Sequence, residues 1–363
     1  MKVSIVSPDL SGNCTGRSFV IAKLLESKYD VEIVGITKYG IWKPLIGSGL
    51  KFKTFHNSFS LFKYLQSSRA NLFIATKPKY NSFGILLIVK LFKRINILLD
   101  IDDWELGFYL DKKKFNNFKS IFAIWDTNSF LVILVLDKIA QFFRYKIVSN
   151  SFLKKRFGGT IIPHARDERI FDPSLHSSSL QKSKLGLNNK YVIGFIGTIR
   201  AHKGIDSFIK ALSAAKLQNV VLLLTSDDRN ILLKYKLPYI KIIPLFSFDS
   251  LPEVLSCIDL VIIPQKHNYS TIGQLPAKLI DAMAMKKTII STSVSDIPTI
   301  LANSGIVIPC DDMEALISST IALRSDPKLS IKLASSAHTK FLATFSFRVV
   351  RPMLFKVIDL IIS

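Results

Sequence analysis

Cysteine, acidic side chains and long apolar runs are all scarce in this sequence. Three cysteines, Cys14, Cys257 and Cys310, occur in 363 residues and none belongs to a CxxC pair, so we expect neither a disulfide framework nor a cysteine metal site. No apolar run reaches the roughly 18–20 residues that a bilayer crossing requires. The segment Met1–Val6 has the pattern of a first strand, without the cleavage region of a signal peptide. We therefore expect a chain without a transmembrane helix in a reducing, cytoplasmic compartment.

Basic side chains greatly outnumber acidic ones. Lysine and arginine total 49 against 27 aspartate and glutamate residues, a formal net charge of +22. Local basic clusters at residues 90–94, 112–114 and 154–156 lie beside aromatic segments. This pattern predicts contact with an anionic membrane surface on the cytoplasmic side, and a merely solvated basic face is the alternative. We do not expect nucleic acid as a partner because no RRM, KH or zinc-finger signature occurs, but basic nucleic-acid binding stays an alternative function.

The length and the 48% of hydrophobic residues are sufficient for two domains with separate cores. Short apolar strands alternate with helices over residues 1–174 and again over 191–346, which is typical of parallel sheets covered by helices. A polar, serine-rich linker is predicted at 175–190. A final helix is predicted at 347–363, packing back on the first domain. The predicted fold class is α/β, with two doubly wound Rossmann-like domains facing each other across a cleft.

A glycine-containing loop, with Gly12 and Gly16, follows the first predicted strand and precedes a helix. Glycines between a strand and a helix allow the backbone to approach a ligand closely, and a helix N-terminus favours anions. The loop is neither a GxGxxG fingerprint nor a Walker motif. Both a ligand-binding role and an ordinary turn remain open from these residues alone.

The strongest local motif opens the second domain. Gly197, Thr198, Arg200 and Lys203 follow a predicted strand and precede a helix. Two cations and a helix dipole directed at one point predict a site for a phosphate or a diphosphate. A solvated loop that carries arginine and lysine is the alternative interpretation.

A second candidate anion-binding loop precedes another helix of the same domain. Proline in the first helical turn leaves free N–H groups at the helix start. Asp281 falls within that helix, where its carboxylate could accept a hydrogen bond from a ribose or could simply complement the helix dipole. The candidate donor-binding residues of this segment are Gln274, Leu275, Pro276, Lys278 and Asp281.

Four carboxylates stand close together in the segment Leu99–Glu105, at the end of a predicted strand. Metal binding is conceivable, but adjacent acids on a strand point to opposite faces, so we expect no metal. We expect instead that at least one acid, Asp102 above all, has a polar role in the cleft, with capping or salt bridging as the alternative. His164 is interpreted as a structural loop residue.

In this order the motifs resemble the family 4 glycosyltransferases, which are retaining enzymes with the GT-B fold. The resemblance rests on the glycine loop and on the segments DIDDWE, VSNSFLKKRFGGTIIPHARDERIFDP, GFIGTIRAHKGIDSFIKAL and QLPAKLIDAMAMKKTIISTSVSDIP. It implies that the second domain binds a nucleoside diphosphate sugar, with Lys203 on the diphosphate and Asp281 on the ribose. It also implies that Gly12, Gly16 and Asp102 face the acceptor and the transferred sugar.

Three positions depart from the family pattern. Thr198 stands where the family has an arginine, Gly273 replaces the first acid of the E-x7-E motif, and Asp281 replaces the second glutamate. The expected function is a metal-independent retaining glycosyltransferase that moves a sugar from a nucleoside diphosphate to a glycan or lipid-linked acceptor. Catalytic roles are expected for Asp102, Arg200 and Lys203. A non-catalytic protein that binds nucleotide sugars is the alternative.

Overall fold

The computed structural model describes residues 1–111 and 129–362. The basic cluster at 112–114 and the aromatic residues that follow it lie outside the described residues. The chain forms two compact units, each built around one parallel sheet. The first unit comprises Met1–His164, Ile272–Leu275 and Val350–Ser363, and the second comprises Ala165–Thr271 and Pro276–Val349.

The first unit contains a sheet of parallel strands in the order β3-β2-β1-β4-β5-β6-β7. Its central strands are mostly apolar and buried along their whole length, as expected when helices cover a parallel sheet. The strands are β1 Lys2–Ser7, β2 Asp30–Ile36, β3 Lys51–Phe55, β4 Leu72–Thr76, β5 Ile97–Ile101, β6 Lys146–Val148 and β7 Thr160–Ile161.

Three of the described helices of the first unit begin at a side-chain cap. The helix that follows β6 starts after Asn150, whose side chain accepts a hydrogen bond from the N–H of Leu153, and ends at Gly158 with φ 77°. The described helices are α1 Thr15–Leu25, α2 Ser58–Ser67, α3 Ile85–Phe92, α4 Glu105–Leu110, α5 Phe130–Phe142 and α6 Ser151–Phe157.

The second unit contains a sheet of parallel strands in the order β10-β9-β8-β11-β12-β13. The strands are β8 Tyr191–Phe195, β9 Val220–Thr225, β10 Ile240–Ile243, β11 Leu260–Ile263, β12 Thr288–Thr292 and β13 Ile306–Ile308. The helices are α7 Ser178–Lys184, α8 Ile205–Ala215, α9 Arg229–Lys234, α10 Leu251–Ser256, α11 Tyr269–Ile272, α12 Ala277–Ala284, α13 Ile297–Leu301, α14 Met313–Ser325 and α15 Pro327–Thr344, and the last residue of α11 belongs to the first unit.

The last helix, α16 Phe347–Ile362, passes from the second unit into the first. Within the first unit, Arg351 donates a hydrogen bond from Nε to the carbonyl oxygen of Leu24 over 3.0 Å. The rings of Tyr29 and Phe355 meet edge to face with centroids 5.7 Å apart. These contacts attach most of α16 to the N-terminal part of the chain.

Both sheets reverse their strand order at one point, between β1 and β4 in the first unit and between β8 and β11 in the second. Ligands of open α/β sheets bind beyond the carboxyl ends of the strands at such switch points. The two glycine loops follow β1 and β8, so the fold places both of them at this kind of position. The two doubly wound domains predicted from the sequence are confirmed.

The structure divides the chain differently from the predicted boundaries. The first unit ends at His164 rather than at residue 174, and the segment predicted as a linker contains α7. Lys182 of this helix forms an ion pair of 2.7 Å with Asp259, so the segment packs on the second unit. The edge strand Lys51–Phe55 was not predicted because it is largely exposed and alternates lysine with apolar or polar residues.

Candidate functional site

The loop after β8 requires glycine at two positions. Gly197 has φ 121°, and its N–H donates to Oγ1 of Thr225 over 3.0 Å. Gly204 has φ 73°, and a Cβ there would stand 1.8 Å from the carbonyl oxygen of Pro264. Between them, Arg200 is exposed and Lys203, half-buried, ends a short 3-10 turn. The loop therefore carries Arg200 and Lys203 on a backbone that packs directly against the end of β11. Only glycine allows this close approach.

The most unusual cation of the second unit is Lys278, in the first turn of α12. Its Nζ atom is buried and, within the described parts of the chain, has no hydrogen-bond partner. It lies 3.0 Å from the centroid of the Phe195 ring. Burial, together with repulsion from Lys203, lowers the pKa of Lys278 well below its usual value, although Asp281 acts in the opposite direction.

Lys278 belongs to the same neighbourhood as the glycine loop. A Cβ at Gly197 would stand 3.7 Å from the Lys278 Nζ, and Lys203 is near enough to affect its charge. The structure thus brings together Gly197, Lys203 and Lys278, three of the predicted residues. A phosphate bound among them would pair with two lysines and with the N–H groups at the start of α12, whose cap residue Pro276 offers no side-chain bond. Thr198 lies exposed on the same loop.

Asp281 has a partner that the sequence analysis did not identify. Arg166 donates from Nε to its Oδ1 over 2.5 Å, and the guanidinium lies 4.9 Å from the centroid of the Phe248 ring. Burial raises the pKa of Asp281, whereas Arg166 and Lys278 favour the carboxylate. No sequence signal linked the arginine and the acid, because they are 115 positions apart.

In the first unit, Asp102 lies directly after β5 in a buried cluster of charges. Lys77, which follows β4, places its Nζ 2.9 Å from Oδ1 of Asp102, 2.6 Å from Oδ2 of Asp103 and 3.0 Å from Oε1 of Glu105. Burial raises the pKa of Asp102 to about 7, with Asp103 adding to the effect and Lys77 opposing it. Lys77 was not among the predicted residues, since a single lysine after a strand carries no motif.

Two further groups complete this cluster. Lys79 lies 3.1 Å from Oε2 of Glu105, and this carboxylate raises the pKa of Lys79. Burial would raise the pKa of Glu105, but Lys77 and Lys79 outweigh it and the pKa is lowered. Burial raises the pKa of the nearby Cys14 thiol to about 11, which makes it a poor nucleophile at neutral pH.

The first glycine loop is less constrained than the second. A Cβ at Gly12 would lie 3.6 Å from Oδ2 of Asp9, and one at Gly16 would lie 3.7 Å from the Trp42 ring. Both are ordinary contact distances, and neither glycine has a positive φ. The fold therefore does not itself require glycine here.

Gly273, Gln274 and Leu275 stand just before α12 in the sequence, but the structure places them in the first unit. Gln274 donates from Nε2 to Oδ1 of Asp103 over 2.9 Å, and Asn150 donates from Nδ2 to the carbonyl oxygen of Gly273 over 3.0 Å. A Cβ at Gly273 would stand 2.6 Å from Cβ of Trp104. Gly273, Gln274 and the buried Leu275 thus belong to the first unit, where Gln274 contacts Asp103, whereas Pro276, Lys278 and Asp281 belong to the second unit.

Over residues 1–111 and 129–362, no group of three or more histidine, cysteine, aspartate or glutamate side chains has the arrangement of a metal site. In the same residues, no helix combines the length and the apolar character needed to cross a bilayer. His164 is buried at the end of the first unit.

Comparison with known proteins finds a family model that matches most of the second unit. The family model for glycosyl transferases group 1 matches residues 190–326. The lipopolysaccharide core biosynthesis mannosyltransferase LpsB of Rhizobium meliloti is 24% identical over 195 residues, which cover 48% of this chain and 54% of LpsB. The match therefore spans about half of that relative. Residues 190–326 resemble the glycosyl transferases group 1 domain, and the resemblance of the chain to the family 4 glycosyltransferases is confirmed.

Solved structures identify the fold of the whole chain. The Anabaena protein HepE, solved in complex with UDP-glucose, superposes with a TM-score of 0.77 at 15% identity, over 99% of each chain. Sucrose-phosphate synthase from Thermosynechococcus elongatus superposes with a TM-score of 0.71 at 12% identity, over 99% of this chain and 98% of that one. The predicted GT-B fold is confirmed.

Proposed function

We propose that this chain is a retaining glycosyltransferase that moves a sugar from a nucleoside diphosphate sugar to an acceptor. The observation that carries the proposal is the buried Nζ of Lys278, without a hydrogen-bond partner among the described residues, beside Lys203 and Gly197. A buried ammonium group is unfavourable unless a counter-charge accompanies it. The diphosphate of a donor would provide that charge. The UDP-glucose complex of HepE supports a uridine nucleotide as the first donor class to examine.

During sugar transfer, negative charge develops on the leaving diphosphate. Breaking the bond between the sugar and the diphosphate increases the negative charge on the leaving phosphate, and fixed cations stabilise that charge as it forms. Arg200, Lys203 and Lys278 would supply the cations without a metal ion, so activity should persist in EDTA. The leaving phosphate oxygen would take the proton of the acceptor hydroxyl. Asp102 would position the acceptor or the transferred sugar.

Thermal-shift measurements against UDP-, GDP- and ADP-sugars test the donor site. A ligand at 100 times its dissociation constant adds about 2.7 kcal/mol of stability, and Lys278→Met should abolish this gain. Lys210→Met is the matched control, because Lys210 is exposed on α8. No stabilisation by any nucleotide sugar would refute the donor site. Stabilisation without transfer or donor hydrolysis would instead support the non-catalytic alternative.

We also propose that the acceptor is a glycan or a lipid-linked sugar at an anionic, cytoplasmic membrane surface. The similarity to LpsB, a mannosyltransferase of lipopolysaccharide core biosynthesis, supports this acceptor class. Leu91, Phe92 and Phe142 are 81%, 68% and 87% exposed. The Nζ of Lys90, in α3, lies 5.6 Å from the ring centroid of Phe143, which follows α5. Through this contact the ends of α3 and α5 form one surface. We call this surface, together with Lys93 and Arg94, the apolar–basic patch.

The patch lies at the amino edge of the first sheet, because α3 leads into the start of β5, whereas Asp102 follows the end of β5. Apolar side chains that insert beside lysines bind anionic leaflets through both effects. Sedimentation with anionic vesicles should decrease as salt rises and should fall in Leu91→Ser/Phe92→Ser. The triple change Lys112→Glu/Lys113→Glu/Lys114→Glu tests the other basic cluster. Equal sedimentation with neutral vesicles, or none with anionic ones, would leave a soluble acceptor.

A further inference from the structure

Among residues 1–111 and 129–362, the buried cluster around Lys77 contains four acids and three cations. Its acids are Asp100, Asp102, Asp103 and Glu105, and its cations are Arg17, Lys77 and Lys79. Arg17 forms a buried pair of 2.8 Å with Asp100, and Lys79 pairs with Glu105. The ammonium group of Lys77 contacts Asp102 and Asp103 together, at 2.9 and 2.6 Å. Two carboxylates that share one cation in a buried site do not both ionise easily.

Lys77 is held in this position by the backbone. Its φ of 67° is left-handed, a conformation that residues other than glycine seldom adopt and that occurs often at functional sites. Its N–H donates to the carbonyl oxygen of Asp100 over 2.8 Å, and its own carbonyl oxygen accepts from Oγ of Ser82 over 2.8 Å. These bonds direct the side chain toward the acids that follow β5. Its exposed fraction is only 5%.

We propose that Lys77 is a positioning residue for the transfer reaction, and that Lys77 and Asp103 together decide whether Asp102 presents a carboxylate or a carboxylic acid to the acceptor hydroxyl. The inference rests on the proposed function, because it assumes that Asp102 meets the acceptor. As a carboxylate, Asp102 accepts the hydrogen bond of the hydroxyl in the bound complex and orients the oxygen lone pairs, and the proton passes to the leaving phosphate oxygen as the bond between sugar and phosphate breaks. As a carboxylic acid, Asp102 would donate a hydrogen bond to the acceptor oxygen and would occupy a lone pair that the reaction needs.

The charges that surround Asp102 give the direction of each effect. Lys77 and Arg17 stabilise its carboxylate, whereas burial, Asp103 and Asp100 favour the protonated form, which places the pKa of Asp102 at about 7. Around Lys77 the further groups are Glu105, Lys79 and Cys14. Removing the charge of Lys77 should therefore raise the pKa of Asp102. Removing the charge of Asp103 should lower it.

The experiment measures the titration of Asp102 by carbon-13 NMR in protein labelled at the aspartate carboxyl carbons. The resonance is assigned by its loss in Asp102→Asn. Relative to the unchanged protein, the midpoint should move to higher pH in Lys77→Gln and to lower pH in Asp103→Asn. Asp30→Asn, at an exposed surface pair with Lys51, is the control and should leave the midpoint unchanged.

The proposal is supported if the Asp102 midpoint rises in Lys77→Gln and falls in Asp103→Asn. A purely structural role for Lys77 or Asp103 would not move the midpoint in opposite directions. Displacement in the same direction, or none, would overturn it. If Lys77→Gln does not fold, Asp103→Asn alone still tests the proposal, because the titration midpoint of Asp102 must be lower in that variant than in the unchanged protein. The acidic limb of kcat/KM should follow the NMR midpoints. If the midpoints move as expected and the acidic limb does not, the charge cluster is correct and the role of Asp102 in the proposed transfer is wrong.

Discussion

Arg166 holds the carboxylate of Asp281 through a hydrogen bond of 2.5 Å from Nε to Oδ1. The guanidinium also donates from Nη1 to the carbonyl oxygen of Ala165 over 2.7 Å and lies beside the rings of Phe171 and Phe248. An ion pair so enclosed fixes the orientation of the acid. We propose that the remaining oxygen, Oδ2, accepts a hydrogen bond from a ribose hydroxyl of the donor.

The first prediction tests this ribose contact. A hydrogen bond to a charged group contributes about 1.5–3 kcal/mol, so the protein should bind UDP more tightly than 2′,3′-dideoxy-UDP. Asp281→Asn should remove most of that preference while diphosphate contacts remain. Calorimetric affinities for the two nucleotides measure the difference. An unchanged preference in Asp281→Asn would show that the ribose does not contact this residue.

The second prediction concerns Lys203. Lys203→Ala should weaken nucleoside diphosphate binding by about 1.5–3 kcal/mol, because one charge-assisted contact to the diphosphate is lost. Lys210→Ala, on the exposed side of the next helix, should bind as tightly as the unchanged protein. The measurement is the dissociation constant of the nucleoside diphosphate by calorimetry. Equal affinity in both variants would contradict the assignment of the site.

The third prediction is a pH dependence of donor binding that originates at Lys278. In the free protein its pKa is lowered well below the usual value, and a bound diphosphate should raise it. Binding should therefore take up protons, and the affinity should decline as pH rises from the free to the bound pKa of Lys278. Calorimetry in buffers of different ionisation enthalpy measures the uptake. In Lys278→Met the proton uptake should disappear; its persistence would assign it to another group.

The fourth prediction compares two glycines. Gly273→Ala should lower the thermal unfolding midpoint, because its Cβ would stand 2.6 Å from Cβ of Trp104 and overpacking costs about 1–3 kcal/mol. Gly12→Ala is the matched control, since its Cβ meets Asp9 at 3.6 Å. We expect normal stability for Gly12→Ala, with reduced transfer if the backbone approaches a ligand there. Equal stability of both variants would contradict the close packing at Gly273.

Gly273 illustrates how a departure from a motif can have a structural cause. The family pattern has an acid at this position, but here Trp104 occupies the space that a side chain would need. The indole Nε1 donates to Oδ1 of Asp137 over 3.1 Å, and the Arg156 guanidinium lies 4.5 Å from the centroid of the ring. These two contacts hold the Trp104 side chain in place. The sequence showed the substitution and could not show its reason.

The sequence by itself determined the two parallel sheets, the glycine loop with Lys203 and the helix that carries Lys278 and Asp281. These features are local: continuous apolar strands, glycines with positive φ and a proline at a helix start are determined by neighbouring residues. The exposed strand Lys51–Phe55 lacked such a signal, since an edge strand buries little apolar surface.

Only the tertiary structure decided which charges meet. Asp102 and Lys77 are brought together because β4 and β5 are adjacent and end at the same edge of the sheet. Arg166 reaches Asp281 across 115 positions in the chain. The energy of a buried charge depends on the few atoms that surround it after folding. Sequence spacing could therefore indicate that these residues lie at strand and helix ends, but not which of them share a counter-ion or a proton.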